Sequence, residues 1–224
     1  MAAWCVAGIW TAAEALRLTD IRARLMDGVV GPDGRLGYVR GLERTALEHL
    51  LEKHHCEIAI RNPDLLVVVG GAECNIVDLC REATTQGAAR AGLLSVKIAS
   101  HTRRLGPACT PLQQALATSR RTPVADQRTL LAGDGGERIF SVTDATAKLA
   151  CQIARPIDWA TTLEALVELG VDQVLDLGPG HALAEMMQGF HPSIRCYAAD
   201  GFRTIDGLRS WVASQEAGRA AARD

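Results

Sequence analysis

The chain has 224 residues, of which 48% are hydrophobic, with 24 basic against 26 acidic side chains and a formal charge of -2. That composition can bury a core as one domain or one domain with an insertion, and it excludes a disordered polymer. Both signs of charge are scattered along the sequence, which argues against nucleic acid and against an anionic membrane as partners.

From Met1 to Ala13 the chain is apolar, with no basic leader and too few residues to span a bilayer, so it reads as a buried helix. Nothing in the sequence supplies strands to cover it, and an exposed apolar patch with a tendency to associate is the expectation. Thr11 to Val29 carries a helical stripe of Ala12, Ala15, Leu16, Leu18, Ile21, Leu25 and Met26, ended by Gly28, Gly31, Pro32 and Gly34. The pattern then reads as a strand at Leu36–Leu42, a helix at Glu43–His54 and strands at Cys56–Ile60 and Leu65–Val69. A helix at Glu73–Ala89 and a strand at Leu93–Ile98 complete it. This β-α-β-β-α-β order predicts a ferredoxin-like small subdomain over 34–98, inserted in a larger α/β subdomain made of 1–33 and 99–224. Beyond it come a helix broken near Pro107 and Pro111, a short strand at Thr129–Ala132 and a turn at Gly133–Gly136. Helices at Asp144–Ile153 and Ala160–Leu169 lead to a buried strand at Val171–Leu177. The helix His181–Gly189, the strand Arg195–Ala198 and the helix Ile205–Ser214 follow, and the tail Ala217–Asp224 is expected to fray.

Seven cysteines (Cys5, Cys56, Cys74, Cys80, Cys109, Cys151 and Cys196) are odd in number and show no CxxC spacing. They read as reduced core residues of a cytoplasmic protein, Cys5 included. His101 ends an apolar run and precedes a helical segment, where an imidazole can face a cleft as an acid or base; the same position suits a hydrogen-bonded core histidine. Arg22 interrupts the apolar stripe one turn from Leu18 and Met26, and an inward guanidinium would need an anion; spacing alone favours a surface ion pair with Asp20 or Glu14. The Leu175–His181 stretch, with Gly178-Pro179-Gly180, suits a tight structural turn more than a phosphate cradle, because it lacks the dinucleotide and P-loop spacings. The other histidines, among them His54, His55, His181 and His191, have no metal-ligand spacing, so no metal is expected.

Several stretches, in order, resemble the malonyl-CoA:acyl carrier protein transacylases: Met1–Gly8, Ile21–Met26, Arg61-Asn62-Pro63 before Val67–Gly71, Ile98-Ala99-Ser100-His101, Cys151–Trp159 and Leu175–Gly180. Within that family the chain looks most similar to the epsilon subunit of malonate decarboxylase, partly through Ala199–Gly207. The resemblance implies an α/β-hydrolase-like acyltransferase subdomain with the ferredoxin-like insertion. It implies His101 as general base, Gln152 holding the base through its backbone carbonyl, Arg22 gripping the malonyl carboxylate, and Asn62 near the acyl site. It implies no cofactor. The implied partners are malonyl-CoA, an acyl carrier protein and other malonate decarboxylase subunits. The family's nucleophile is a serine in a G-x-S-x-G elbow, and no G-x-S-x-G occurs in these 224 residues. The expectation is an N-terminally truncated acyltransferase that lacks its nucleophile and is inactive as written, with a non-catalytic malonyl- or carrier-binding assembly subunit as the alternative.

Overall fold

The computed structural model describes residues 1–123 and 128–221. The chain divides into two compact units, Met1–Ala165 and Leu166–Asp224.

The first unit opens with α1 (Ala2–Val6), which stops before Gly8, a residue at φ +83° that only glycine adopts without strain. The long N-terminal helix expected from composition is therefore one turn and a loop, and its apolar side chains are covered. Trp4, Ala7, Ile9 and Trp10 are buried in one core with Leu18, Leu112, Leu116 and Ala145. The rings of Trp4 and Trp10 stack with centroids 4.6 Å apart, and the Trp10 indole N–H donates to Ser119 Oγ. Ala2, Ala3, Val6, Ala12 and Ala13 stay exposed, as does Leu16 in the helix that follows.

In α2 (Ala12–Asp27) the Thr11 side chain accepts from the Glu14 N–H, a cap that the T-x-x-E spacing provides, and the ion pairs Glu14–Arg17 and Asp20–Arg24 line the outer face. Leu18 and Met26 are buried, so the residue midway between them, Arg22, projects from the inward face.

The strands β1 (Gly34–Arg40), β2 (Glu57–Arg61), β3 (Leu66–Ala72) and β4 (Arg90–Leu93) alternate with α3 (Arg44–Lys53) and α4 (Glu73–Thr85) in the order expected from the sequence. They pair in the order β4-β1-β3-β2, antiparallel throughout. Leu47, Leu50, Val69, Ile76 and Leu79 form the core between helices and sheet. Helix α4 can sit close on β1 because Gly37 has no Cβ; one built there would lie 2.4 Å from Ile76 Cγ2. β5 (Ile157–Asp158) joins the far edge, parallel to β2.

Three expectations are corrected. The strand predicted at Leu93–Ile98 ends at Leu93: Leu94 N–H still donates to Leu36 carbonyl oxygen, but the residues beyond have no strand beside them. α5 (Gly106–Ala117) is continuous, because Pro107 falls in the first turn, where no N–H is needed, and the carbonyl that Pro111 fails to bond is that of Pro107 itself. At Thr129–Ala132 only an isolated bridge, Leu131 with Arg138, flanks the turn around Gly133. α6 (Val142–Cys151) is capped by Ser141 and passes directly into a 3-10 turn, Gln152–Ala154.

Helix α7 (Trp159–Glu168) runs across the boundary between the units. The second unit pairs β6 (Gln173–Asp176) with β7 (Arg195–Ala198) in parallel, with α8 (Ala182–Phe190) as the crossover. Trp211 of α9 (Ile205–Ala221) lies tilted against Tyr197 and Phe202. Residues 222–224 of the tail expected to fray lie outside the described residues. No helix among the described residues is long and apolar enough to cross a membrane.

Candidate functional site

His101 stands not at the end of a strand but in a turn, with its backbone in the left-handed region at φ +63°. An L side chain occupies that region at a cost on the order of 1–3 kcal/mol, so something must hold it there. Three contacts do. The His101 N–H donates to the Ile153 carbonyl at 2.8 Å, and its Nδ1 lies 2.8 Å from the Gln152 carbonyl oxygen. The buried Thr102 closes the turn by donating from Oγ1 to the Ala99 carbonyl at 2.7 Å.

The turn is seated on β3 through an absent side chain. A Cβ on Gly70 would lie 2.5 Å from Thr102 Cγ2 and 3.7 Å from the Ala99 Cβ, so only glycine lets the loop rest on the strand. Gly70-Gly71 directly after an apolar run is the sequence signal for this seat, together with the threonine after His101. The carbonyl of Ile153 carried no signal at all.

Because a carbonyl can only accept, the contact with Gln152 fixes the proton on Nδ1 and leaves Nε2 as the lone-pair nitrogen, the arrangement a general base needs. Burial lowers the pKa of the ring from its ordinary value, and the charge of Arg22 lowers it further, while the carbonyls of Gln152 and Arg155 pull in the opposite direction. The net effect is a ring that is neutral, and so basic, over a wider pH range.

Arg22 is half-buried and, among the described residues, bonds to no carboxylate, backbone carbonyl or other acceptor; burial alone lowers its pKa. Asp20 and Glu14, its possible surface partners by spacing, are taken by Arg24 and Arg17. A half-buried guanidinium close enough to perturb His101, with nothing to bond, is suited to an anion, and its two parallel N–H edges match a carboxylate.

Gln152 acts on His101 through its main chain. Its side chain turns elsewhere, against Gly133, where a Cβ would come within 2.9 Å of Nε2. Asn62 lies just past β2, its N–H donating to the Leu66 carbonyl, while its neighbour Arg61 faces Asp158 at 3.9 Å. No hydrogen bond links Asn62 to His101 or Arg22 among the described residues. His101, Gln152 and Arg22 are thus brought together and Asn62 is not joined to them.

A groove of about 580 Å³ opens between the end of α2 and the segment leading to His101, with Arg35 and Lys97 among its lining residues. Neither His101 nor Arg22 lines it. The Gly178–Gly180 turn has no spare donors: Gly178 N–H bonds Asp176, Gly180 N–H bonds Asp200, and the Leu183 and Ala184 N–H groups at the start of α8 share Asp176 Oδ2. No group of three or more metal-ligating side chains occurs among the described residues.

No family model matches the chain. It is 28% identical over 187 residues to the malonyl CoA-acyl carrier protein transacylase of Haemophilus influenzae, covering 79% of this chain and 58% of that protein. It is 28% identical over 228 residues to the mitochondrial malonyl-CoA-acyl carrier protein transacylase of Homo sapiens, covering 93% and 56%. The crystal structure of the acyl-carrier-protein-S-malonyltransferase from Bartonella henselae superposes with a TM-score of 0.84 at 23% identity, over 94% of this chain and 67% of that one. The chain spans a little over half the length of the curated relatives it matches. In sequence it is similar to acyltransferases of the malonyl transacylase type, and it has their α/β fold with mixed sheet pairing.

Proposed function

We propose that this chain carries the base and the carboxylate-recognition side of a malonyl-transfer site. The observation that carries the reading is His101 held through Nδ1 by the Gln152 carbonyl, with the half-buried, unpartnered Arg22 close enough to perturb it. In this reading Nε2 of His101 takes the proton from a serine hydroxyl as it attacks the malonyl-CoA thioester and gives it to the departing CoA thiolate; it then takes the proton of an acyl carrier protein thiol as that thiol attacks the malonyl-serine ester, and returns it to the released serine oxygen. Arg22 binds the free carboxylate and selects against uncharged acyl groups, which would leave the guanidinium unpaired. Asn62 is a further contact to the acyl group, reached from the β2–β3 turn. No cofactor takes part. No G-x-S-x-G occurs in these 224 residues, and in this reading the polypeptide by itself forms no acyl-enzyme.

Two finer readings rest on the same footing. The run Ala199–Gly207 supports a role beside other subunits of a malonate decarboxylase, in the cytoplasm. The buried clusters, one drawn from 1–30 and 98–154 and two from 36–94, support an inserted small subdomain at 34–98; the large one is read as 1–33 and 99–224. The lack of a G-x-S-x-G motif favours, as the second reading, a non-catalytic subunit that binds malonyl groups or a carrier protein.

Titration of the chain with malonyl-CoA in a calorimeter tests the binding half: Arg22→Ala should abolish the heat, and unchanged binding would exclude recognition through that residue. Incubation with radiolabelled malonyl-CoA tests the other half. Acid-stable label on this chain would overturn its inactivity alone, whereas label appearing only when an elbow-bearing segment is supplied favours the catalytic over the non-catalytic reading.

A further inference from the structure

We propose that Pro156 is a positioning residue: by withholding one N–H group it reserves the Gln152 carbonyl for His101. Helix α6 ends at Cys151, and the chain then passes through the 3-10 turn Gln152–Ala154. In a continuing α-helix each carbonyl accepts from the N–H four residues on, so the Gln152 carbonyl would belong to residue 156 and the Ile153 carbonyl to residue 157. Residue 156 is a proline and has no N–H to give. Residue 157 has left the helix for β5, where Ile157 is paired with Ile60 of β2. The two carbonyls that hold His101 are therefore ones that a longer helix would have consumed.

The proline also acts on the residue before it. Arg155 is extended, at φ −128° and ψ 148°, the region favoured ahead of a proline, and the helix takes no further turn. The Arg155 N–H donates to the Gln152 carbonyl at 3.3 Å, and His101 Nδ1 lies 2.8 Å from the same oxygen. A carbonyl oxygen has two lone pairs, and these two donors fill them. A third donor at position 156 would compete with the ring. Pro156 is itself exposed, so its own ring fills no part of the core. Its contribution is the donor it lacks and the backbone it imposes on Arg155. The use of this arrangement rests on His101 serving as the base, whereas the position of the ring does not, and the ring is what the experiment reads.

The full chain, isotope-labelled at histidine, is titrated by NMR in its native form and as Pro156→Ala, which restores the N–H and frees residue 155 to turn helical. The downfield Nδ1–H signal of His101 should weaken. The midpoint of the ring should fall by about 0.5 pH unit, because the carbonyls of Gln152 and Arg155 are what draw its pKa upward. Lactic acid placed at position 156 by cell-free translation removes the N–H again without a proline ring, and should return signal and midpoint to their native values. Pro156→Gly, which also restores the N–H, serves if the alanine variant does not fold. A native Nδ1–H signal and midpoint in the N–H-bearing variant overturn the proposal. A lactate-bearing chain that behaves like the alanine variant overturns the missing N–H as the cause.

Discussion

The molecule contains two loop-to-helix junctions that each begin with a histidine, and they are built oppositely. At the start of α8 carboxylates already occupy four N–H groups: Asp176 accepts from Gly178, Leu183 and Ala184, Asp200 accepts from Gly180, and His181 sits in solvent 3.2 Å from Glu185. Ahead of α5 the reverse holds. The turn is strained at His101, one ring nitrogen is tied down, and Arg22, whose charge acts on the ring, bonds to nothing among the described residues. The first junction is satisfied and the second is left with unused bonding capacity. A turn can therefore look like an anion cradle in sequence and be structural, because its carboxylates are already in place, while the reactive corner is marked by what it lacks.

The contrast can be broken in order of effect. Asp176→Ala removes a buried acceptor shared by three N–H groups and should destabilise the protein by about 3 kcal/mol in urea titration, with His101 unaffected. Gly70→Val drives a side chain into Thr102 and should cost about 2 kcal/mol, while also weakening the His101 Nδ1–H signal; a variant that keeps that signal would show that the seat does not position the ring.

Acidification comes next. Unfolded, the ring of His101 takes up its proton near 6.5, and folded only at lower pH. Between those values the unfolded chain binds a proton that the folded chain does not. The contribution is therefore whole above the ordinary value and declines as pH falls through it, by at most about 1.4 kcal/mol per pH unit, until the folded ring also protonates. His101→Asn keeps a residue that tolerates the left-handed backbone and should flatten this part of the stability curve. The smallest effect on stability is that of Arg22→Met, which breaks no bond among the described residues. Its signature is electrostatic: the His101 midpoint measured by NMR should rise, and a midpoint that stays put would separate the two groups.

Much of this was readable in the sequence where the cause is local. The order of elements from β1 to α4, the helix of Arg22 and the strand β7 follow from periodicity and glycine punctuation. The failures have a common physical origin. Ser95–Ile98 alternates like a strand, but a strand also needs a neighbour, and none lies beside it. The apolar N-terminus found its cover in α5 and α6, more than a hundred residues away in the case of Trp10 and Ser119. The inward direction of Arg22 was visible in its spacing from Leu18 and Met26, yet its nearness to His101 was not. The left-handed backbone of His101 was hidden because nothing in its own sequence demands it; the demand comes from the carbonyls of residues 152 and 153.

The indole stack of the first unit gives the protein a built-in optical probe. Two rings with centroids 4.6 Å apart and nearly parallel couple their transitions and produce a circular-dichroism couplet, whereas Trp211 of the second unit reports against Tyr197 and Phe202. Melting followed through the couplet and through the fluorescence of single-tryptophan variants would show whether the corner that holds His101 opens together with the unit that ends the chain or on its own.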